Sequence, residues 1–103
     1  MEYKDLTPEE VEETLRADPA VFLLDVRTPR EYVCHRIPGA VLIPIQELSC
    51  RLPELDPARP TICICEHGVR SEAAAELLIH HDFADVANMR GGMVRWRGER
   101  ERG

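Results

Sequence analysis

Apolar residues fall into short, nearly continuous runs separated by segments of helical periodicity. Ala20-Val21-Phe22-Leu23-Leu24-Asp25-Val26, Ala40–Ile43, Thr61–Cys65 and Val86–Met89 are strand-sized, and the longer of them are too uniformly apolar for a sheet with one wet face. Such runs predict parallel strands covered on both sides. Thr7-Pro8-Glu9-Glu10 predicts a helix start: Thr7 caps, Pro8 fits the first helical position, and Glu10 closes a capping box. Val11 and Leu15 then lie one turn apart, and Asp18-Pro19 ends that helix. Thr28-Pro29-Arg30-Glu31 repeats the device ahead of a short helix through Tyr32 and Val33. Pro38-Gly39 marks a turn, Ile45–Leu52 a short helix, and Pro53–Pro60 a connecting loop. Ser71–His81, rich in Ala and Leu, is the strongest helix, and Met93–Arg97 follows the Gly91-Gly92 punctuation as a last helical segment. Strands alternating with helices predict an open α/β sheet, mostly parallel, and one domain spanning residues 1–103.

Composition narrows the function classes. The 103 residues allow one modest core. An apolar share of 44% excludes a disordered chain, and a charged share of 31% excludes a membrane protein. No apolar run approaches the roughly 20 residues of a membrane span. Met1-Glu2-Tyr3-Lys4-Asp5 lacks the basic and apolar regions of a secretory signal, so the expected location is cytoplasmic. Thirteen basic against nineteen acidic residues give a net charge of −6, which argues against nucleic acid as a general partner. The bases are nonetheless concentrated: residues 90–103 hold five arginines and two acids, read here as a solvated end rather than a docking patch.

The four cysteines are Cys34, Cys50, Cys63 and Cys65. Cys63 and Cys65 lie two apart in a predicted strand, on one face and too parallel for disulfide geometry. No spacing forms a paired zinc-ligand knuckle, and the adjacent His80 and His81 would point about 100° apart on a helix. No metal or cofactor is expected. Cys34, Cys50 and Cys63 read as passive, which leaves Cys65.

Cys65 stands at the carboxyl end of a predicted parallel strand, where open α/β sheets bind ligands. The loop Cys65-Glu66-His67-Gly68-Val69-Arg70-Ser71 leads into a helix. A tight loop there turns its N–H groups inward, the helix N-terminus adds about half a positive charge, and Gly68 permits the curl. The expectation is an anion cradle with a thiol at its base, an environment that favours the nucleophilic thiolate. Arg70 adds charge from inside the loop or fastens it, Glu66 repels anionic substrates, and His67 is exposed and passive.

These segments resemble the rhodanese-like sulfurtransferases. Leu24-Asp25-Val26-Arg27-Thr28-Pro29-Arg30-Glu31-Tyr32 is similar to the first signature of that family, and Ile37-Pro38-Gly39-Ala40 to its continuation. The loop Cys65–Ser71 is similar to the active-site loop, and Asn88-Met89-Arg90-Gly91-Gly92-Met93-Val94-Arg95-Trp96 to the closing signature. The resemblance implies a five-stranded, mostly parallel sheet with helices on both faces, present as a single unit without the second half of tandem members. It implies that Cys65 carries sulfane sulfur as a persulfide, that the amides of Glu66, His67, Gly68, Val69 and Arg70 hold the outer sulfur, and that Arg70 binds or orients the donor. Asp25, Arg27 and Ser71 would support the loops. The implied partners are a small anionic donor such as thiosulfate or a protein persulfide, and a thiol or cyanide acceptor, with no nucleic acid and no membrane.

Two other readings compete. Phosphatases and arsenate reductases of related fold place five residues between cysteine and arginine; here four lie between Cys65 and Arg70, and the smaller ring suits one sulfur atom better than a tetrahedral phosphate. A non-catalytic binding or regulatory module is the second rival, motivated by Glu66 at the mouth of the cradle.

Overall fold

The computed structural model describes residues 2–103. Its elements are β1 (Lys4–Leu6), α1 (Pro8–Ala17), β2 (Phe22–Asp25), α2 (Pro29–Cys34), β3 (Val41–Leu42), α3 (Ile45–Arg51), β4 (Thr61–Ile64), α4 (Val69–His80) and β5 (Val86–Met89). Short 3-10 turns follow at Leu52–Glu54 and Met93–Arg95. The five strands form one sheet in the order β1-β5-β4-β2-β3, with every pairing parallel. The expected α/β architecture is therefore present, with β4 at its centre.

Side-chain alternation on β4 divides the interior. Ile62 and Ile64 join Val11, Leu23, Met89, Met93 and Trp96 on one face of the sheet. Cys63 and Cys65 point the other way, into a core with Leu24, Val26, Leu48, Ala74 and Leu78. A period of two thus puts both thiols beneath α4. Trp96 is buried in the first core, where its indole N–H donates to the Glu99 carbonyl at 2.9 Å.

Both capping boxes form. Thr7 and Glu10 exchange hydrogen bonds of 2.8 and 3.1 Å, and Thr28 and Glu31 do so at 2.9 and 3.2 Å. Glu31 does more than cap: its carboxylate takes two hydrogen bonds from the Arg70 guanidinium, at 2.8 and 2.9 Å, clamping α2 to the first turn of α4. That pairing, helped by the Thr28 amide and opposed by burial, holds the Glu31 carboxyl at about 2, well below its ordinary 4.5.

The structure departs from the sequence reading in several places. β1 carries no strand signal, because Lys4 and Asp5 are exposed and an edge strand of three residues needs no apolar run. The runs at 20–26 and 40–43 shorten to Phe22–Asp25 and Val41–Leu42, where ladder pairing stops. Helix α4 starts at Val69 rather than Ser71, because Gly68 at φ +91° turns the chain straight into the helix and Ser71 is not used as a cap. The expected helix Met93–Arg97 is a single 3-10 turn, ended by extended backbone at Trp96.

Gly92 fixes how that turn meets the chain that follows β4. Its φ of +71° with ψ of −167° is open to glycine alone, and a Cβ there would stand 2.3 Å from the Glu66 carbonyl oxygen. The substitution Gly92→Ala is expected to cost on the order of 3 kcal/mol in urea unfolding. The α2–α4 clamp has its own signature. Because the Glu31 carboxyl is lowered in the folded state, its contribution is complete above pH 4.5 and fades as pH falls toward 2. Arg70→Ala should therefore cost about 1 kcal/mol near neutrality, after solvent screening of a partly exposed pair, and much less near pH 3. Urea midpoints of parent and variant at the two pH values measure this.

Candidate active site

Cys65 follows β4 immediately, at the carboxyl end of the central strand, and is 1% exposed. The curl of residues 66–68 brings the Gly68 N–H to 3.1 Å from its Sγ. The Ser71 N–H, in the first turn of α4, points at the same sulfur from 3.3 Å. The Ser71 hydroxyl oxygen lies 3.2 Å from Sγ and accepts from the thiol. The sulfur thus sits against the N-terminus of a twelve-residue helix, whose first amides lack intrahelical partners. The loop leaves no room at Gly68, where a Cβ would stand 2.9 Å from the Gly91 amide nitrogen.

The loop is held from behind by main-chain bonds. Met93 N–H donates to the Cys65 carbonyl at 2.9 Å, and Val94 N–H donates to the Glu66 carbonyl at 3.1 Å. These bonds turn the two carbonyl oxygens toward the 3-10 turn and away from the thiol.

From below, the loop is tied by Arg27, which is completely buried. Its Nε and Nη2 donate to the Asp25 carboxylate at 3.0 and 2.8 Å. Nη2 also reaches the His35 carbonyl at 2.7 Å, and Nη1 donates to Glu66 Oε1 at 3.0 Å. Burial acts to lower the Arg27 guanidinium, but Asp25 and Glu66 outweigh it and raise it further above its ordinary value. The carboxylate of Glu66 is consequently turned down into this network, with His35 Nε2 4.0 Å away. The charge that the sequence places at the mouth is largely neutralised from beneath.

The remaining loop residues divide. His67 and Val69 are exposed, while Arg70 is directed into the clamp with Glu31. Asp25 and Arg27 lie behind the loop, and Ser71 touches the sulfur itself. Of the other cysteines, Cys34 and Cys50 are exposed. Cys63 is buried one strand period before Cys65, and burial pushes its thiol strongly up.

Two participants have no counterpart in the reading of the loop. The Ser71 hydroxyl donates a short hydrogen bond to Asn88 Oδ1, and Asn88 Nδ2 donates to Asp5 Oδ1 at 3.0 Å. A polar chain therefore runs from the surface of β1 through β5 to the sulfur. With its proton given to Asn88, the hydroxyl presents a lone pair to Cys65. The available signal is Asn88 itself, an amide in the otherwise apolar strand Val86–Met89 and 1% exposed. An amide buried there needs partners on both of its ends.

The sequence and the fold are similar to those of known proteins. The model of the rhodanese-like domain matches residues 7–99. Thiosulfate sulfurtransferase GlpE of Pseudomonas syringae pv. syringae is 34% identical over 96 residues, covering 93% of this chain and 89% of that protein. A sulfurtransferase of Allochromatium vinosum is 30% identical, covering 89% of this chain and 86% of the other. The crystal structure of a rhodanese-like domain protein from Staphylococcus aureus superposes with a TM-score of 0.88 at 32% identity, covering 97% of this chain and 98% of that one. With the matched segment containing the whole Cys65 loop and its supports, this chain belongs to the rhodanese-like domain family.

Proposed function

We propose that this protein is a sulfurtransferase in which Cys65 carries sulfane sulfur between a donor and a nucleophilic acceptor. The observation that carries the reading is the convergence of the Gly68 and Ser71 amides on Cys65 Sγ, at 3.1 and 3.3 Å, within a loop of only four residues between Cys65 and Arg70. Donors so placed stabilise negative charge on sulfur, whether on the thiolate or on the outgoing Cys65 after transfer.

The reaction is a double displacement. The Cys65 thiolate attacks the outer sulfur of the donor, forming a new S–S bond while the donor's own S–S bond breaks. The electron pair of the broken bond leaves with the remainder: sulfite from thiosulfate, or a thiolate from a persulfide. An acceptor thiolate or cyanide then attacks the outer sulfur of the Cys65 persulfide and releases Cys65 as thiolate. No external oxidant or reductant is consumed. Sulfurtransferase relatives support the reaction class.

The donor is the finer question, and charge bears on it. Around the thiol the carboxylates of Asp25, Glu31 and Glu66 meet the guanidinium groups of Arg27 and Arg70, each committed to an ion pair. No surplus of positive charge is left there for a dianion. A donor of lower charge, such as a persulfide, fits this balance better than thiosulfate.

Two measurements test the reading. Incubation with a sulfane donor should add one sulfur atom to Cys65 by mass spectrometry, removable by cyanide and missing in Cys65→Ala. Failure with thiosulfate, with small persulfides and with a persulfide-bearing protein alike would sink the proposal. The charge argument is tested by Glu66→Gln rather than Glu66→Arg, which would set a second guanidinium against buried Arg27. Glu66→Gln should raise the rate of loading from thiosulfate about three- to tenfold at low salt, and the gain should shrink as salt rises. An unchanged rate would show that Glu66 does not hold the dianion off.

A further inference from the structure

The arginines of this chain are not distributed as their pairing needs would suggest. Arg16, Arg27, Arg36, Arg51 and Arg70 are bound to carboxylates. Arg59 donates to the Ala20 carbonyl, and Arg100 to Met93 and His35. Among the described residues, Arg30 and Arg102 are exposed and scattered with no carboxylate within ion-pair distance, and the same holds for Arg90, Arg95 and Arg97. All three line one groove of about 670 Å3, together with Thr7, Glu9 and the edge of Trp96. Three cations stand against Glu9 in the groove and against Glu10, whose carboxyl Arg90 helps to lower, which leaves a small local excess of positive charge on a protein whose net charge is −6.

The groove belongs to the segment that backs the catalytic loop. Val94 lines it, and the Val94 N–H is bonded to the Glu66 carbonyl. Arg95 lies against Gly91, whose amide nitrogen abuts Gly68. Two exposed valines adjoin these contacts along the chain. Val69, which follows Gly68 at the start of α4, is 69% exposed, and Val94 is 51% exposed, two of the four large apolar side chains that reach solvent among the described residues. Val33, at 52%, is a third; it sits on α2, which Glu31 fastens to the loop.

We propose that Val69, Val94 and the groove of Arg90, Arg95 and Arg97 form a docking face for an acidic protein surface that delivers sulfur to Cys65. The proposal rests on the sulfurtransferase reading and names the class of donor. A free inorganic donor has no use for exposed valines, and none of the three arginines contacts the sulfur. An apolar patch with uncompensated arginines beside it fits a protein interface, in which charge guides encounter and desolvated side chains supply residence. Single-stranded RNA is commonly held by stacking of bases on exposed aromatic side chains, whereas Trp96 is 4% exposed.

The test uses two synthetic cysteine peptides of equal length, one flanked by glutamates and one by lysines, each loaded as its persulfide, with cysteine persulfide as the small donor. Loading of Cys65 should be about tenfold faster from the glutamate peptide than from the lysine peptide at low salt, converging as salt rises. Replacing Arg90, Arg95 and Arg97 together by Gln should abolish the preference, and by Glu should invert it, with cysteine persulfide loading every variant equally. Equal rates from the two peptides, or a preference that survives the Gln variant, would overturn the docking face. Failure of all three donors to load Cys65 would instead overturn the sulfurtransferase reading, and fluorescence anisotropy with the sulfur-free peptides then tests the face alone. Tighter binding of a polyuridine strand than of the glutamate peptide would assign the face to nucleic acid and overturn the proposal. Self-association lost in the Gln variant would assign it to a second copy, with the same consequence.

Discussion

The fork of Arg27 is the interaction on which the carboxyl end of the sheet depends. One completely buried guanidinium joins the end of β2 through Asp25, the residue after α2 through the His35 carbonyl, and the Cys65 loop through Glu66. Burying such a charge is costly unless every donor is satisfied, and removing one partner exposes that cost. The planar fork of arginine, with five N–H donors in a fixed geometry, reaches all of these partners at once, whereas lysine offers three donors on one compact ammonium. The loop is thereby fixed from below while the bonds of Met93 and Val94 fix it from behind.

Polar groups inside the fold are placed with the same economy. Asp25, Arg27, Ser71 and Asn88 account for nearly all the polar residues that are fully buried, and each belongs to the set holding Cys65 or its loop. No buried side-chain polar atom among the described residues lacks a partner. The two apolar cores carry the sheet, and, Thr61 at the start of β4 apart, the buried polar side chains belong to the set around the end of the central strand, where Cys65 stands. The cradle is therefore held from several sides, as an arrangement of aimed dipoles requires.

Much of this was legible in the sequence, for reasons that are local. The two capping boxes declare themselves within four residues, and the unbroken apolar runs announce a sheet covered on both faces. The Cys65 loop reveals its chemistry through its strand, its glycine and its place before a helix. What stayed hidden depends on distant pairing. Glu31 looks like a cap until Arg70 is seen beside it, thirty-nine residues on. Glu66 reads as an unshielded charge because Arg27 lies as far away along the chain. Edge strand β1 is recognisable only by its ladder to β5, and Asn88 only by the two side chains it joins.

That ladder carries a consequence for how the site comes into being. β1 pairs with β5, so an early strand waits for a late one, and the central strand β4 also lacks one neighbour until then. Such non-local pairing slows folding, since loop closure precedes any reward from contacts. A chain lacking Asn88 would hold Cys65 with its hydroxyl partner unanchored, and one lacking Met93 would be without the support behind the loop. The surroundings of the Cys65 sulfur are thus a property of the closed sheet rather than of the segment that bears the cysteine.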